Sequence, residues 1–126
     1  MEMIKTPLEN DCVKILLGAE VEPETNHLMG NIELDIETQA HFVEFLNSVF
    51  DEGFIRVVLD MHLVSYIDSS GLWALFEVHK KAAEKSGMLV LLNATKDVKR
   101  VLDITKMSSK IHIYHSEDEA LLAIRQ

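Results

Sequence analysis

Apolar residues follow two rhythms along this chain, short solid runs and longer stretches with a helical repeat. Residues 13–17 form an apolar run that predicts a strand, and Glu20-Val21-Glu22-Pro23-Glu24 supplies a turn, because proline fixes its own φ and offers no ladder donor. A second strand is expected over about 27–34, with Leu28, Ile32 and Leu34 on one face and Gly30 inside it. Phe42, Phe45, Leu46, Val49 and Phe50 recur at i, i+3, i+4, i+7 and i+8, which predicts an amphipathic helix stopped by Asp51-Glu52-Gly53. Residues 55–59 read as a central strand covered on both faces. Leu72, Leu75, Phe76, His79, Ala82 and Ala83 then mark a helix that ends at Ser86-Gly87, and residues 88–92 form another buried strand. Val98, Val101, Leu102 and Thr105 predict a third helix capped from Thr95, followed by a short strand at 111–113. Ser116-Glu117-Asp118-Glu119 is a capping box in front of a last helix over 120–124.

Alternation of strands and helices after the first two strands predicts the α/β class with a mostly parallel sheet. A length of 126 residues suits a single domain over 1–126, and a hydrophobic share of 48% is enough for a core at that size. With 12 basic and 21 acidic residues the formal charge is −9, which argues against nucleic acid or an anionic membrane surface as partner. Cys12 is the only cysteine and lies in an apolar run, so a packed thiol is expected rather than a disulfide, a redox motif or a zinc site. The N-terminus lacks the apolar core of a signal peptide, and no run approaches the roughly 20 residues needed to span a bilayer. A cytoplasmic protein is expected.

The chemistry concentrates where the central strand gives way to the next helix, at Asp68-Ser69-Ser70-Gly71. A helix N-terminus has unpaired N–H groups and a partial positive charge, so it accepts an added anion well. Ser69 can be read there as a plain N-cap or as a hydroxyl that carries a removable phosphate. Asp68 is expected to cap the helix or order the loop rather than act as a catalytic base. Ser70 is a second hydroxyl, and Gly71 allows close packing or an unusual backbone angle. No G-x-S-x-G elbow and no placed His and Asp support a serine hydrolase. His79 falls on its helix's apolar stripe as a packing residue, and His112 and His115 share no ligand face, so neither a metal nor any other cofactor is expected. A receiver-like domain is a rival reading, with Asp60 as a phosphoaspartate, Thr95 and Lys110 beside it, and Glu20 and Glu22 holding magnesium. It requires a helix after the first strand, where this sequence predicts a second strand.

Three segments resemble the STAS domain family, the module of anti-sigma factor antagonists that also occurs in sulphate transporters. Residues 57–60 with 67–72 are similar to the family's central strand, loop and helix start, and 97–105 to its third helix. Gly30-Asn31-Ile32-Glu33 sits where antagonists carry Gly-Glu-Leu-Asp, and the likeness spans about 12–124. The resemblance implies a sheet of about five strands with four helices packed mainly on one side. It implies no enzymatic activity but a phosphoserine switch in transcription regulation: the unphosphorylated antagonist binds an anti-sigma factor that is also a serine/threonine kinase. Phosphorylation, by motif position at Ser69, weakens that complex, and a PP2C-type phosphatase resets it. Asp68, Ser69, Ser70, Gly71, Trp73 and Glu33 are the partner-binding residues so implied. The family also contains subunits of stress-signalling and lipid-transport complexes, the alternative setting for such a domain.

The chain departs from the family at several positions. Trp73 stands where antagonists have a small residue, often glycine, so an indole lies close to the docking surface unless it folds inward. Glu33 replaces the usual aspartate at the end of the second strand, and Lys106-Met107 replaces Gly-Leu.

Overall fold

The computed structural model describes residues 1–125. Its main sheet begins with an antiparallel pair, β1 (Glu2–Pro7) and β2 (Cys12–Gly18), in a register that sets Met3 against Leu17 and Lys5 against Ile15. β2 then pairs in parallel with β6 (Arg56–Asp60), β6 with β8 (Met88–Leu92), and β8 with β9 (Ile113–Tyr114), for a strand order β1-β2-β6-β8-β9. Two small sheets lie beside it. β3 (Glu20–Val21) pairs antiparallel with β4 (Leu28–Met29), and β5 (Ile32–Leu34) runs parallel to β7 (Val64–Ile67).

Helices α1 (Gln39–Asp51), α2 (Ser69–Glu84) and α3 (Lys96–Ile104) fill the crossovers, with a 3-10 turn at Met107–Ser109, and α4 (Glu117–Arg125) follows the last strand. Side chains alternate along a strand, so β6 and β8 feed two cores. Val57, Leu59, Leu89 and Leu91 join Phe42 and Leu46 of α1, Leu75 and Val78 of α2, and Val98 and Leu102 of α3 in the larger one. Val58, Val90 and Leu92 face the other way and meet Ala120 and Ile124 of α4, with Cys12. The five-stranded sheet with its four helices, three of them on one side, is the α/β arrangement that the sequence predicts. Cys12 is buried, and burial, reinforced by the neighbouring Asp11 charge, pushes its thiol pKa up.

Local signals account for most element ends. Gly53 sits at φ +98° and its N–H bonds the Phe50 carbonyl at 2.9 Å, which stops α1. Thr95 Oγ1 accepts the Val98 N–H at 3.3 Å and caps α3, and Ser116 Oγ accepts the Glu119 N–H at 3.4 Å before α4.

The structure corrects the sequence reading in several places. The strand expected over 27–34 is two strands, β4 and β5, because Gly30 at φ +81° breaks it and turns the chain from one small sheet to the other. Residues 64–67, for which the sequence predicts no element, form β7. β1 was not expected at all: it is an edge strand carrying Lys5 and Pro7, residues that blunt an exposed edge and dilute the strand signal. The buried stripe of α2 runs through Gly71, Ala74, Leu75, Val78 and Ala82, while Ala83 is exposed. The short strand placed at 111–113 is observed at Ile113–Tyr114.

Candidate functional site

The site is built where β5 and β7 end side by side and α2 begins. Leu34 on β5 is paired with Ile67 on β7, so the chain leaving each strand passes close to the other. Asp68 follows β7 directly, in extended conformation at φ −101°, and is the N-cap of α2. Its Oδ1 accepts the Gly71 N–H at 2.9 Å, filling one of the helix's open donors. Its Oδ2 accepts the Ile36 N–H at 3.3 Å, while its own N–H bonds the Leu34 carbonyl at 3.2 Å. One carboxylate thus ties the start of α2 to the loop that leaves β5.

Gly71 shows why a side chain is excluded one turn into α2. A Cβ built there would lie 2.0 Å from the Leu34 carbonyl oxygen. Of the two uses foreseen for this glycine, close packing is the one observed.

Ser69 is the first residue of α2 and is exposed; Ser70 beside it is half-buried. Because Asp68 takes the capping bond, Ser69 is not the N-cap, and its hydroxyl is left out of that role. Trp73 lies at i+4 from Ser69, on the same side of the helix, and its indole is 55% exposed. Gln39 of α1 joins Ser69, Ser70 and Trp73 around a shallow hollow of about 350 Å³. The indole therefore lies on the surface beside Ser69.

Glu33 is exposed within β5, opposite Tyr66 of β7 in the register. The acid at the end of this strand is Asp35, whose Oδ1 accepts the N–H groups of Glu37 at 3.0 Å and Thr38 at 3.1 Å and so shapes the turn into α1. The structure thus gathers Asp68, Ser69, Ser70, Gly71 and Trp73 at the N-cap and first turn and a half of α2, with Glu33 on the strand pair that precedes it.

Three residues of this neighbourhood escaped the sequence reading: Ile36, Gln39 and Tyr66. Ile36 and Tyr66 are 68% and 49% exposed, large apolar side chains in solvent, the first on the loop bonded to Asp68 and the second on β7 two residues before it. Each had a faint signal, an apolar residue stranded in a polar turn and an aromatic alternating with Ile67, but only the pairing of β5 with β7 brings them together.

Asp60 occupies the C-terminal end of β6 and is the only buried charged residue among the described residues. Its Oδ1 lies 2.8 Å from His62 Nδ1 and accepts the His62 N–H at 3.1 Å, and Lys14 Nζ is 3.9 Å from Oδ2. The partners of a receiver site are occupied elsewhere. Thr95 donates its hydroxyl to the Val64 carbonyl at 3.1 Å, and Lys110 Nζ sits 5.2 Å from the centre of the Phe76 ring. With a strand and not a helix after β2, the receiver reading is set aside. No group of three or more metal-ligating side chains occurs among the described residues.

Comparison with known proteins agrees with this geometry. The family model described as the STAS domain matches residues 19–120. A Thermotoga maritima protein named "Putative anti-sigma factor antagonist" is 33% identical over 103 residues, covering 79% of this chain and 88% of that protein. A crystal structure of a Thermotoga maritima protein of the same description superposes with a TM-score of 0.79 at 24% identity, over 98% of this chain and 95% of that one. SpoIIAA of Bacillus, in its phosphorylated form, has the same fold with a TM-score of 0.67 at 16% identity, over 98% of this chain and 99% of that one. Matched in sequence over most of its length and in the arrangement of every layer, the chain belongs to the STAS domain family, in the group of the anti-sigma factor antagonists.

Proposed function

We propose that this protein is a non-enzymatic antagonist that binds an anti-sigma factor serine/threonine kinase when Ser69 is unmodified and is released when Ser69 is phosphorylated. A PP2C-type phosphatase would restore the binding form, and the setting is the cytoplasm. One observation carries the reading: Ser69 stands exposed at the head of α2 while Asp68, not Ser69, caps that helix. The hydroxyl is free for modification without loss of the cap.

The physical consequences fit a switch. A phosphate adds about −1.5 to −2 charges at a helix N-terminus, where the helix dipole favours it, so the fold need not open. It would enter the hollow between Gln39, Ser70 and Trp73, one residue from the Asp68 carboxylate. None of the residues lining that hollow is cationic, so the new charge faces outward. Trp73 offers exposed apolar area beside it, and Ile36 and Tyr66 are exposed on the loop and strand that flank Asp68 in the chain fold, as a docking surface requires. A partner packed there would bury the phosphate against its own surface, and a buried charge without a partner costs about 2–5 kcal/mol at an interface. That weakens a complex by roughly 30- to 5,000-fold, enough to release a micromolar partner at micromolar concentrations.

The proteins compared above are consistent with this: SpoIIAA is known in a phosphorylated form on the same fold. The test is binding of the purified anti-sigma factor kinase to wild type, Ser69→Ala and Ser69→Asp. Ser69→Ala should hold the kinase as wild type does and Ser69→Asp should lose it. Equal binding by all three would refute the switch.

A further inference from the structure

We infer that the groove between α1 and α2 beside Ser69 receives an arginine side chain of the docking partner, with Trp73 as its stacking wall. The inference deepens the proposed function and rests on that reading of the α2 N-terminus as the docking surface. Gln39, Ala40, Val43, Glu44 and Asn47 of α1 face Trp73 of α2 across a groove of about 390 Å³. Gln39 and Trp73 also line the hollow at Ser69, so the two depressions adjoin.

The chemistry of the lining selects its occupant. Ala40, Val43 and the indole make an apolar channel. Glu44 adds an exposed carboxylate, and the chain as a whole carries −9. No lysine or arginine is among the lining residues.

The complement is an apolar stem that ends in a planar cation, which describes a guanidinium side chain. Its flat face stacks on an indole, and its edge can donate to Glu44. Lysine has the charge without the plane, an aliphatic side chain leaves the Glu44 carboxylate without a cation, and a carboxylate is repelled by Glu44. The groove would then set which partner is accepted, separately from the phosphate that sets when it is held.

Trp73 is the single tryptophan of the chain, so its emission reports on the groove. The test is titration of the full chain with N-acetyl-arginine amide, N-acetyl-norleucine amide and N-acetyl-glutamate amide, followed by indole emission and by amide NMR shifts. Arginine amide should give a saturable response concentrated at the Trp73 indole N–H and the Asn47 side-chain amide, and the other two should give none. Glu44→Gln, and Trp73→Ala read at Asn47, should each weaken it about fivefold or more. An equal response to norleucine amide would overturn the inference, as would shifts scattered over the acidic surface and unchanged by either substitution. The outcome is separable from the switch. If Ser69→Asp releases the kinase while the titration fails, only the groove assignment falls. If the titration succeeds while the Ser69 variants bind alike, only the phosphorylation switch falls.

Discussion

Gly71 of α2 lies against the backbone of Leu34 at the end of β5, so close that a Cβ at Gly71 would stand 2.0 Å from the Leu34 carbonyl oxygen. That oxygen also accepts the Asp68 N–H. The contact is backbone to backbone and has no flexible side chain to give way. Gly71→Ala must therefore push α2 away from β5, at an expected cost of about 2–3 kcal/mol. Urea unfolding should show a lower midpoint with an unchanged slope. An unchanged midpoint would mean that α2 moves without penalty.

Asp68 makes two different contributions, the cap of α2 and the tie to Ile36. Asp68→Ala should cost about 1–2 kcal/mol. Its distinctive mark is faster amide exchange at both Ile36 and Gly71, residues on separate elements. Asp68→Asn keeps an acceptor oxygen and should restore most of the protection at Gly71. Exchange that rises at Gly71 alone would show that the second bond contributes nothing.

These two residues also show how far the sequence could be read. Asp68-Ser69-Ser70-Gly71 was legible because helix starts are signalled locally, by a capping acid, hydroxyls and a glycine within one turn. The central strands were legible because burial on both faces writes a solid apolar run, as in Val57-Val58-Leu59. β7 was not, since Val64 and Ile67 are buried while the intervening Ser65 and Tyr66 are half-buried and exposed. Its pairing with β5 is a tertiary fact with no local spacing to announce it. The same pairing sets the loop that carries Ile36 against Asp68, a neighbourhood with no local signal. Trp73 could be placed on its helix from sequence, but its outward direction depended on the stripe running through Ala74 and Val78 instead of Phe76 and Ala83.

Trp73 offers a separation of stability from binding. Its indole is mostly in solvent, so Trp73→Ala should change stability by no more than about 0.5 kcal/mol. Affinity for the docking partner should fall, by the measure of an interface aromatic. Calorimetry and a binding isotherm on the same preparation check both at once. A large fall in melting temperature would show the indole to be structural.

His79, further along α2, gives a pH dependence of defined sign. Its Nδ1 is buried and has no hydrogen-bond partner among the described residues. Burial first, then the charges of His112 and Lys110, hold its pKa below the usual 6.5. The unfolded chain therefore takes up a proton that the folded chain resists, so this contribution is intact above about pH 6.5 and is lost as the pH falls below it. His79→Leu should flatten the slope of stability against pH between about pH 7 and pH 5. An unchanged slope would place the titration elsewhere.

The central claim is that Ser69 receives the phosphate, and site-resolved mass spectrometry tests it most directly. Wild type incubated with the anti-sigma factor kinase and ATP should gain one acid-stable phosphate on Ser69, absent from Ser69→Ala and removed by a PP2C-type phosphatase. A phosphate mapped to Ser70, an acid-labile one on Asp60, or an unmodified chain under conditions where the kinase is active would contradict the account.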